Sequence, residues 1–446
     1  MKKLTKILSL SLLSAVTAMG LSALDIEAGG MQTVSGGAAG NGGSATENFH
    51  FADHIFSSKT VGWLDMKFNP DGTMGLAAQA SLEFEYQNRK DFIQFMDLTP
   101  DLDLLRFYYI RPTGNGEIFN VSAGRFHITD KSTYVFNQNV DGVHLGYKAS
   151  NIVFGATLGY TGLLSAKTNL IINETGKNFR SNYDNLYEKV KPYVDEADKT
   201  SYSTFMDTFD FSGATKAVAK DILYPWADPY FVSTASFTLP YIFANQTLFF
   251  EGSSFIGVGG PSKKGLNSAT KTARNFNRFY LTGGITGPFV FSNLTYGLTT
   301  TLGTSKSKGT GNLSSFNLSW YTGLKDLTLS GKVVYASGDN DSLNQFYGFT
   351  SNAISYMRYA PEYTQAIKLG TSASFKPVKE FLVMGGLDWL YDFAVDVVEY
   401  LGWQYWTEMR LQCTTDFQFQ LKEYRFLARD HNYDNAGATL TAVLTF

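Results

Sequence analysis

Charged residues recur at a spacing of two in several segments of this chain that alternate apolar and polar residues. Glu83 and Glu85 form one such pair, and Glu408 and Arg410 form another. Side chains two residues apart lie on the same face of a β-strand, so each pair should face the same side. Such charges can sort passing ions, or they can brace each other as ion pairs. The spacing favours one of these two roles over bond-making chemistry, and leaves both open.

The sequence shows no set of residues typical of an enzyme or a metal site. It contains neither Gly-x-Ser-x-Gly nor His-Glu-x-x-His, and its single cysteine, Cys413, lies among turn-forming residues. His50 and His54 have a metal-ligand spacing only in a helix, and the acidic run at 339–342 lacks the glycine and distal glutamate of an EF-hand loop. We therefore predict no catalytic residue, no metal site and no cofactor.

The composition suits a wall between lipid and water. Only 17% of the 446 residues are charged, whereas Gly (42), Tyr (26) and Phe (36) are abundant. Polarity therefore comes mainly from uncharged side chains, as expected of strands that alternate between lipid-facing and water-facing positions. The formal net charge of −3 is spread thinly along the chain, so nucleic acid is not an expected partner.

Residues 1–23 are predicted to be a signal peptide, because the basic start MKKLTK precedes a short apolar run and small residues. Cleavage after Ser22 or after Ala23 would fit. Residues 24–446 contain no stretch of about 18 uninterrupted apolar residues, so helices should not span a membrane. A closed barrel of strands is the remaining way to satisfy every backbone N–H and C=O group in lipid.

Regular alternation supports this barrel. The segment TMGLAAQASLEFEYQ (73–87) places apolar residues on one face and Gln, Ser and Glu on the other. Roughly eighteen segments of this kind predict an all-β transmembrane antiparallel barrel. Short connections such as 69–72 and 376–379 alternate with long ones such as 34–57, 88–101 and 163–227, as turns and extracellular loops do. Helical spacing within 163–227 predicts a partly helical loop that either enters the pore or caps the surface.

The chain ends on the strand-like segment ATLTAVLTF, and its last residue, Phe446, lies on the apolar face. This ending resembles the signal read by the outer-membrane barrel insertion machinery. It implies that machinery and outer-membrane lipid as partners, and the outer membrane of a diderm bacterium as the location.

A barrel of about eighteen strands has a lumen too wide for side chains to fill, so residues that face inward should meet water. Alternate positions along a strand share a face, and by this rule charges of both signs lie on the inward face. This mixture argues against strong selectivity for cations or for anions, unless the two signs line opposite walls. The predicted pore-lining residues are Glu83, Glu85, His144, Lys148, Glu251, Arg278, Lys332, Lys368, Asp388, Glu408, Arg410 and Lys422.

Two neighbouring segments, 123–130 and 139–147, carry a resemblance to a known group. Their residues resemble the "GR…D…DGV" segment of porin-like proteins in the alginate-export group, which implies an eighteen-stranded channel. Those exporters line their pore with arginine, and the mixed charges here depart from that pattern. From the residues themselves, Arg125, Asp130 and Asp141 are expected to brace a loop base by charge-assisted hydrogen bonds. The chain as a whole is also similar to spirochaetal outer-membrane proteins.

These features predict a porin, a channel through which small hydrophilic solutes diffuse passively. Two alternatives stay open: a transporter of hydrophobic solutes similar to the long-chain fatty-acid transporter family, and a surface adhesin that uses loop 163–227. Large diffusion porins are often trimers, so a homotrimer is a further hypothesis.

Overall fold

The computed structural model describes residues 25–41, 50–89, 92–161, 230–257, 277–289, 291–305, 309–324, 326–338, 346, 366–394, 397–429 and 434–446. The predicted signal peptide and the insertion 163–227 lie outside the described residues. Within the described ranges, no helix is long and apolar enough to cross a membrane.

The described chain consists of strands joined by turns and loops. In chain order they are β1 (Asp25–Asn41), β2 (His50–Lys67), β3 (Met74–Arg89), β4 (Phe92–Gly114), β5 (Glu117–Thr129), β6 (Asn137–Lys148), β7 (Val153–Tyr160), β8 (Tyr230–Leu239), β9 (Thr247–Gly257), β10 (Arg278–Phe289), β11 (Phe291–Ser305), β12 (Gly309–Tyr321), β13 (Thr328–Ala336), β14 (Ala366–Val378), β15 (Phe381–Ala394), β16 (Val397–Gln412), β17 (Phe417–Ala428) and β18 (Asn435–Thr445).

Every strand pairs antiparallel with the next, and β1 also pairs with β18, so the eighteen-stranded sheet closes on itself. The predicted barrel is thereby confirmed. Phe446 extends the closing ladder, because its N–H donates to the Gly30 carbonyl at 2.9 Å and its carbonyl accepts from the Gly30 N–H at 2.8 Å. Closure removes the unpaired edge that an open sheet would expose in hydrocarbon.

The two faces of the wall differ in chemistry. On β17, Phe419 and Leu421 are exposed large apolar residues, and the residue between them, Gln420, belongs to the opposite face. The cross-strand registers carry this parity from strand to strand around the barrel. We therefore assign the face with the exposed apolar side chains to the outside and the other face to the lumen.

The two ends of the barrel also differ. Tight connections such as the one between β2 and β3 lie at one end, which we call the turn rim, and longer connections lie at the opposite loop rim. In the first turn the Gly72 N–H donates to the Asn69 carbonyl at 3.0 Å, and Gly72 adopts a φ of 63°, which glycine accepts without strain.

The predicted long loops 34–57 and 88–101 are wrong in extent. β1 continues to Asn41, β2 begins at His50, and β4 begins at Phe92. These strand ends are paired to their neighbours by backbone hydrogen bonds, as in the registers His54↔Asn88 and Glu85↔Asp97. Backbone pairing of this kind does not require alternating apolar residues. Hydrophobic periodicity therefore did not indicate these extensions of the strands.

Candidate functional site

The connection between β5 and β6 lies inside the barrel. This segment, Asp130–Phe136, is called the lumen loop below. The Phe136 ring packs against Phe255 of β9 with ring centroids 5.0 Å apart, and the Lys332 Nζ of β13 lies 4.9 Å from the centre of the Tyr134 ring. In an eighteen-stranded closed sheet, β13 lies almost opposite β5. The lumen loop therefore reaches across the lumen to the far wall.

The carboxylate of Asp130 holds the shape of this loop. It accepts hydrogen bonds from the N–H groups of Ser132 (2.9 Å), Val135 (3.0 Å) and Phe136 (2.7 Å), and also from the Ser132 hydroxyl. The side chain is nearly fully buried. Four donors replace the water that a buried carboxylate loses, so Asp130 fixes the turn from within.

Side chains on the inner face of the barrel wall hold the lumen loop in place. Glu251 of β9 accepts from the backbone N–H of Lys131 and from the Ser253 hydroxyl, both at 3.3 Å. The Tyr134 hydroxyl is hydrogen-bonded to Ser315 of β12, and burial raises the pKa of Tyr134 to about 12. The phenol therefore stays protonated at neutral pH, and the anchor does not titrate there.

The wall beneath the loop is rich in buried hydroxyls. We call the inner face of β7 to β13 the covered wall. Thr282 and Thr301 hydrogen-bond to each other at 3.0 Å, and both are almost completely buried. Thr157 is buried as well, and it hydrogen-bonds to His144 Nδ1 of the neighbouring β6 at 2.9 Å. These hydroxyls are satisfied within the protein, so they act as packing and anchoring groups.

Toward the loop rim, the covered wall becomes apolar. Val232, Phe255 and Leu313 belong to one buried cluster that also contains Phe136 and Tyr134 of the lumen loop. Phe346, in the connection after β13, contacts Tyr280 with ring centroids 6.3 Å apart and joins the same cluster. Apolar packing thus reinforces the polar anchors of the loop.

The opposite part of the inner face carries accessible charges. We call the inner face from β16 through the β18–β1 closure to β3 the open wall. Lys59 and Glu83 lie 3.6 Å apart, and their side chains are 38% and 44% exposed. Arg410 and Lys422 are similarly exposed, at 43% and 39%. Charges with this exposure can meet a solute in the lumen.

Glu408 lies behind the two cations of the open wall and is only 2% exposed. It accepts from Arg410 and Gln420, and the Lys422 Nζ lies 3.8 Å away. Glu408 therefore serves as a buried brace, whereas the heads of Arg410 and Lys422 reach the lumen. The bracing role weighed for such pairs thus fits Glu408, and a role of Arg410 and Lys422 toward ions stays a prediction.

A second buried brace joins β14, β15 and β16. Asp388 accepts from Lys368 at 3.0 Å and from Gln404 at 2.6 Å, and all three side chains are buried. A buried ion pair with an added amide donor satisfies its own charges, so contact with a solute is a weaker interpretation for Lys368 and Asp388.

The remaining residues predicted to line the pore are scattered over the wall. Lys148 is exposed near the turn rim, and Arg278 is buried on β10 close to the loop rim. Glu85 follows Glu83 on β3, but its side chain lies outside the described part of the structure. A role in the pore stays a prediction for each of the twelve residues.

The predicted loop-base network divides into two parts. Arg125 is 2% exposed and lies 3.5 Å from Asp141 and 3.7 Å from Asp101 of β4. The β4–β5 backbone ladder ends at the pair Leu105↔Arg125, so this charge cluster joins the two strands where main-chain pairing stops. Asp130 instead faces its own turn. Sequence reasoning missed Asp101, because nothing in its local pattern indicates a partner on another strand.

Sequence reasoning also missed the inward course of the lumen loop. The available signal was local: the Asp130-Lys131-Ser132 run is typical of turns in which a side chain accepts from the following backbone. Two aromatic residues, Tyr134 and Phe136, follow in the same short connection. Together they indicate a compact turn with an apolar surface, but not the direction in which it folds.

Comparisons with known proteins show similarity of fold. No family model and no curated protein matches the chain. Pseudomonas aeruginosa OccK5 (OpdH) is 11% identical over 95% of this chain and 98% of its own, with a TM-score of 0.58. Acinetobacter baumannii OccAB1 is 10% identical over 94% and 96%, with a TM-score of 0.54. The outer membrane protein OprD from Pseudomonas aeruginosa is 9% identical over 94% of each chain, with a TM-score of 0.52.

These similarities show a shared barrel fold and do not support the narrower resemblances. Neither the alginate-export group nor a spirochaetal origin gains support from them. The structure gives a physical reason for the motif: Arg125 and Asp141 are buried partners at a strand junction, and Asp130 shapes a turn. Residues with such local roles carry no information about the solute.

Proposed function

We propose that this chain is a channel in the outer membrane of a diderm bacterium, through which small hydrophilic solutes diffuse passively. The observation that carries the proposal is a closed barrel with one inner wall covered by a folded-in loop and another wall that exposes charges. A wall of this kind gives a solute a wet path beside a narrowing segment. The similar solved structures, among them an outer membrane protein, agree with this assignment.

The exposed charges on the open wall explain how passage would work. Lys59, Arg410 and Lys422 offer cationic heads, and Glu83 offers a carboxylate at the same inner surface. Groups of both signs can replace part of a solute's hydration without holding it tightly. Passage then needs neither a cofactor nor a change of the wall, as diffusion down a gradient requires.

A transporter of hydrophobic solutes similar to the long-chain fatty-acid family is less well supported. In that family an N-terminal segment plugs the barrel, whereas Asp25–Asn41 forms a wall strand here, paired on one side to β2 and on the other to β18. The adhesin hypothesis concerns 163–227, which lies outside the described residues. Insertion through Phe446 and assembly as a homotrimer remain proposals that the channel function does not require.

Planar-bilayer recording of the purified chain tests the proposal. We expect stepwise currents, and we expect liposomes that contain the protein to swell in neutral sugars up to a size limit. The matched control is the same preparation heated to unfolding before reconstitution. A folded barrel that gives neither current nor swelling would contradict the channel.

A further inference from the structure

The outer wall contains an apolar groove that crosses β11 to β15. Its volume is about 1120 Å³, and its large side chains are those of Leu294, Leu318, Trp320, Leu329 and Leu387. The cross-strand registers place these residues on the outward parity, the same as that of the exposed Phe316. The groove therefore opens toward the surroundings of the barrel and not toward the lumen.

Small residues form the floor of this groove. Gly331 of β13 lies between Leu318 and Thr371 in the cross-strand register, and a Cβ atom added to it would have no heavy atom within 4 Å. Ala373 and Gly385 are paired one step further along the same outward face. The floor is thus backbone with little side chain above it, and open space lies over Gly331.

We propose that this groove is a seat for one acyl chain of a membrane lipid. The inference rests on the proposed residence in an outer membrane, because only there does the outward parity face hydrocarbon. Among the described residues that line the groove, none is charged. A flexible hydrocarbon chain lying on the bare floor would bury apolar surface that the wall cannot bury itself.

The position of the groove fits a lipid acyl chain from the membrane leaflet at the turn rim. Its lower end lies beside the β12–β13 turn, where Tyr321 and Leu324 are exposed, and its upper end reaches Thr371 and Leu387 in the middle of their strands. The Tyr321 hydroxyl donates to Asp326 at 2.9 Å within this turn, but Tyr321 itself belongs to the inward parity of β12 and does not line the groove. An acyl chain whose headgroup lies at the turn rim would therefore follow the groove toward the middle of the wall.

A second copy of the chain is a poorer occupant. A stable protein interface buries on the order of 800 Å² per partner and is self-complementary in a symmetric pair. The groove is concave, so a partner barrel would need a matching ridge that enters it. A single acyl chain needs no such complement.

Native mass spectrometry of the full chain can test this seat. The barrel is equilibrated with palmitoyl-oleoyl phosphatidylethanolamine in detergent micelles, and the lipid retained per protein is counted. We expect one retained lipid in the wild type. Gly331→Leu should lower the retained fraction by about tenfold, the factor for losing contact with roughly two methylene groups.

Gly62→Leu is the matched control. Gly62 also has open space where a Cβ would lie, and it belongs to the outward parity of β2, away from the groove. Heat-dependent gel migration shows that each variant is folded. Equal retention in the wild type and both variants would overturn the proposal, and so would a cross-linked oligomer that only Gly331→Leu abolishes, since a second copy would then occupy the groove.

Conductance measured on the same samples separates the two proposals. Unchanged current steps in a Gly331→Leu barrel that has lost its lipid support a seat independent of the pore. A wild type that retains lipid but stays silent would remove the channel function and leave the lipid seat standing.

Discussion

The covered wall and the open wall are built in the same way but meet different surroundings. Both alternate inward and outward residues along antiparallel strands. On the covered wall Thr282 and Thr301 are almost completely buried, whereas on the open wall Lys59 and Glu83 are each about two-fifths exposed. The lumen loop packs against the covered wall, where it contacts Glu251, Phe255 and Ser315. Facing inward is therefore not sufficient for a residue to meet solute.

Disrupting the fold of the lumen loop should make the exposure of inward residues on the two walls more alike. Asp130→Ala deprives four buried donors of their acceptor, which should destabilise the docked loop by about 3 kcal/mol, a shift of more than about a hundredfold in its population. We expect a larger single-channel conductance in planar bilayers. Asp71→Ala, in an exposed turn at the turn rim, is the control, and equal conductance of the two variants would contradict the role of the loop.

A pair of glutamate variants compares the two walls directly. Glu251→Ala removes the acceptor of the Lys131 N–H, so the loop should be weakened by about 1 to 2 kcal/mol and conductance should rise. Glu83→Ala breaks an exposed ion pair, which after solvent screening should cost at most about 0.5 kcal/mol. Urea unfolding in micelles measures the stability of both. If Glu83→Ala were the more destabilising variant, the interpretation of Glu251 as the loop anchor and of Glu83 as a merely accessible charge would be wrong.

A smaller effect is expected from the phenol that anchors the loop. Tyr134→Phe keeps the ring beside Lys332 but loses the hydrogen bond to Ser315, at a cost of about 1 kcal/mol. Burial raises the pKa of Tyr134 from 10 to about 12. The protonated phenol therefore stabilises the docked lumen loop fully below pH 10, and this stabilisation is lost as the pH rises toward 12. Conductance of the wild type should increase over that interval. The same increase in Tyr134→Phe would show that another group is responsible.

The smallest effect concerns ion preference and not stability. Lys422→Gln removes an exposed cation from the open wall, so the reversal potential in a KCl gradient should move toward cation preference. Lys379→Gln makes the same change in charge in a turn at the turn rim. Charges more than about 10 Å from the ion path are screened at 0.1 M salt, so this control should change the reversal potential less. An equal shift of the reversal potential in both variants would show that Lys422 does not lie closer to the ion path than Lys379 does.

Much of the barrel was predictable from the sequence. Two-residue periodicity indicated roughly eighteen strands and put Glu83, Lys332 and Glu408 on the face opposite the apolar side chains, because apolar side chains must face hydrocarbon in every spanning segment. The apolar parity of ATLTAVLTF placed the last strand in the wall. The rim extensions of β1, β2 and β4 were not predictable in this way, since main-chain ladders beyond the lipid belt impose no apolar pattern.

The tertiary structure alone decided which inward residues are accessible. Local sequence indicates that Asp130 starts a turn, but the contacts of that turn with Glu251, Ser315 and Phe255 depend on strands that are distant along the chain. Asp101 reaches Arg125 beyond the end of the β4–β5 ladder, a contact that the local sequence does not indicate. Parity is a local property of each strand, whereas burial inside a barrel depends on what the rest of the chain folds into it.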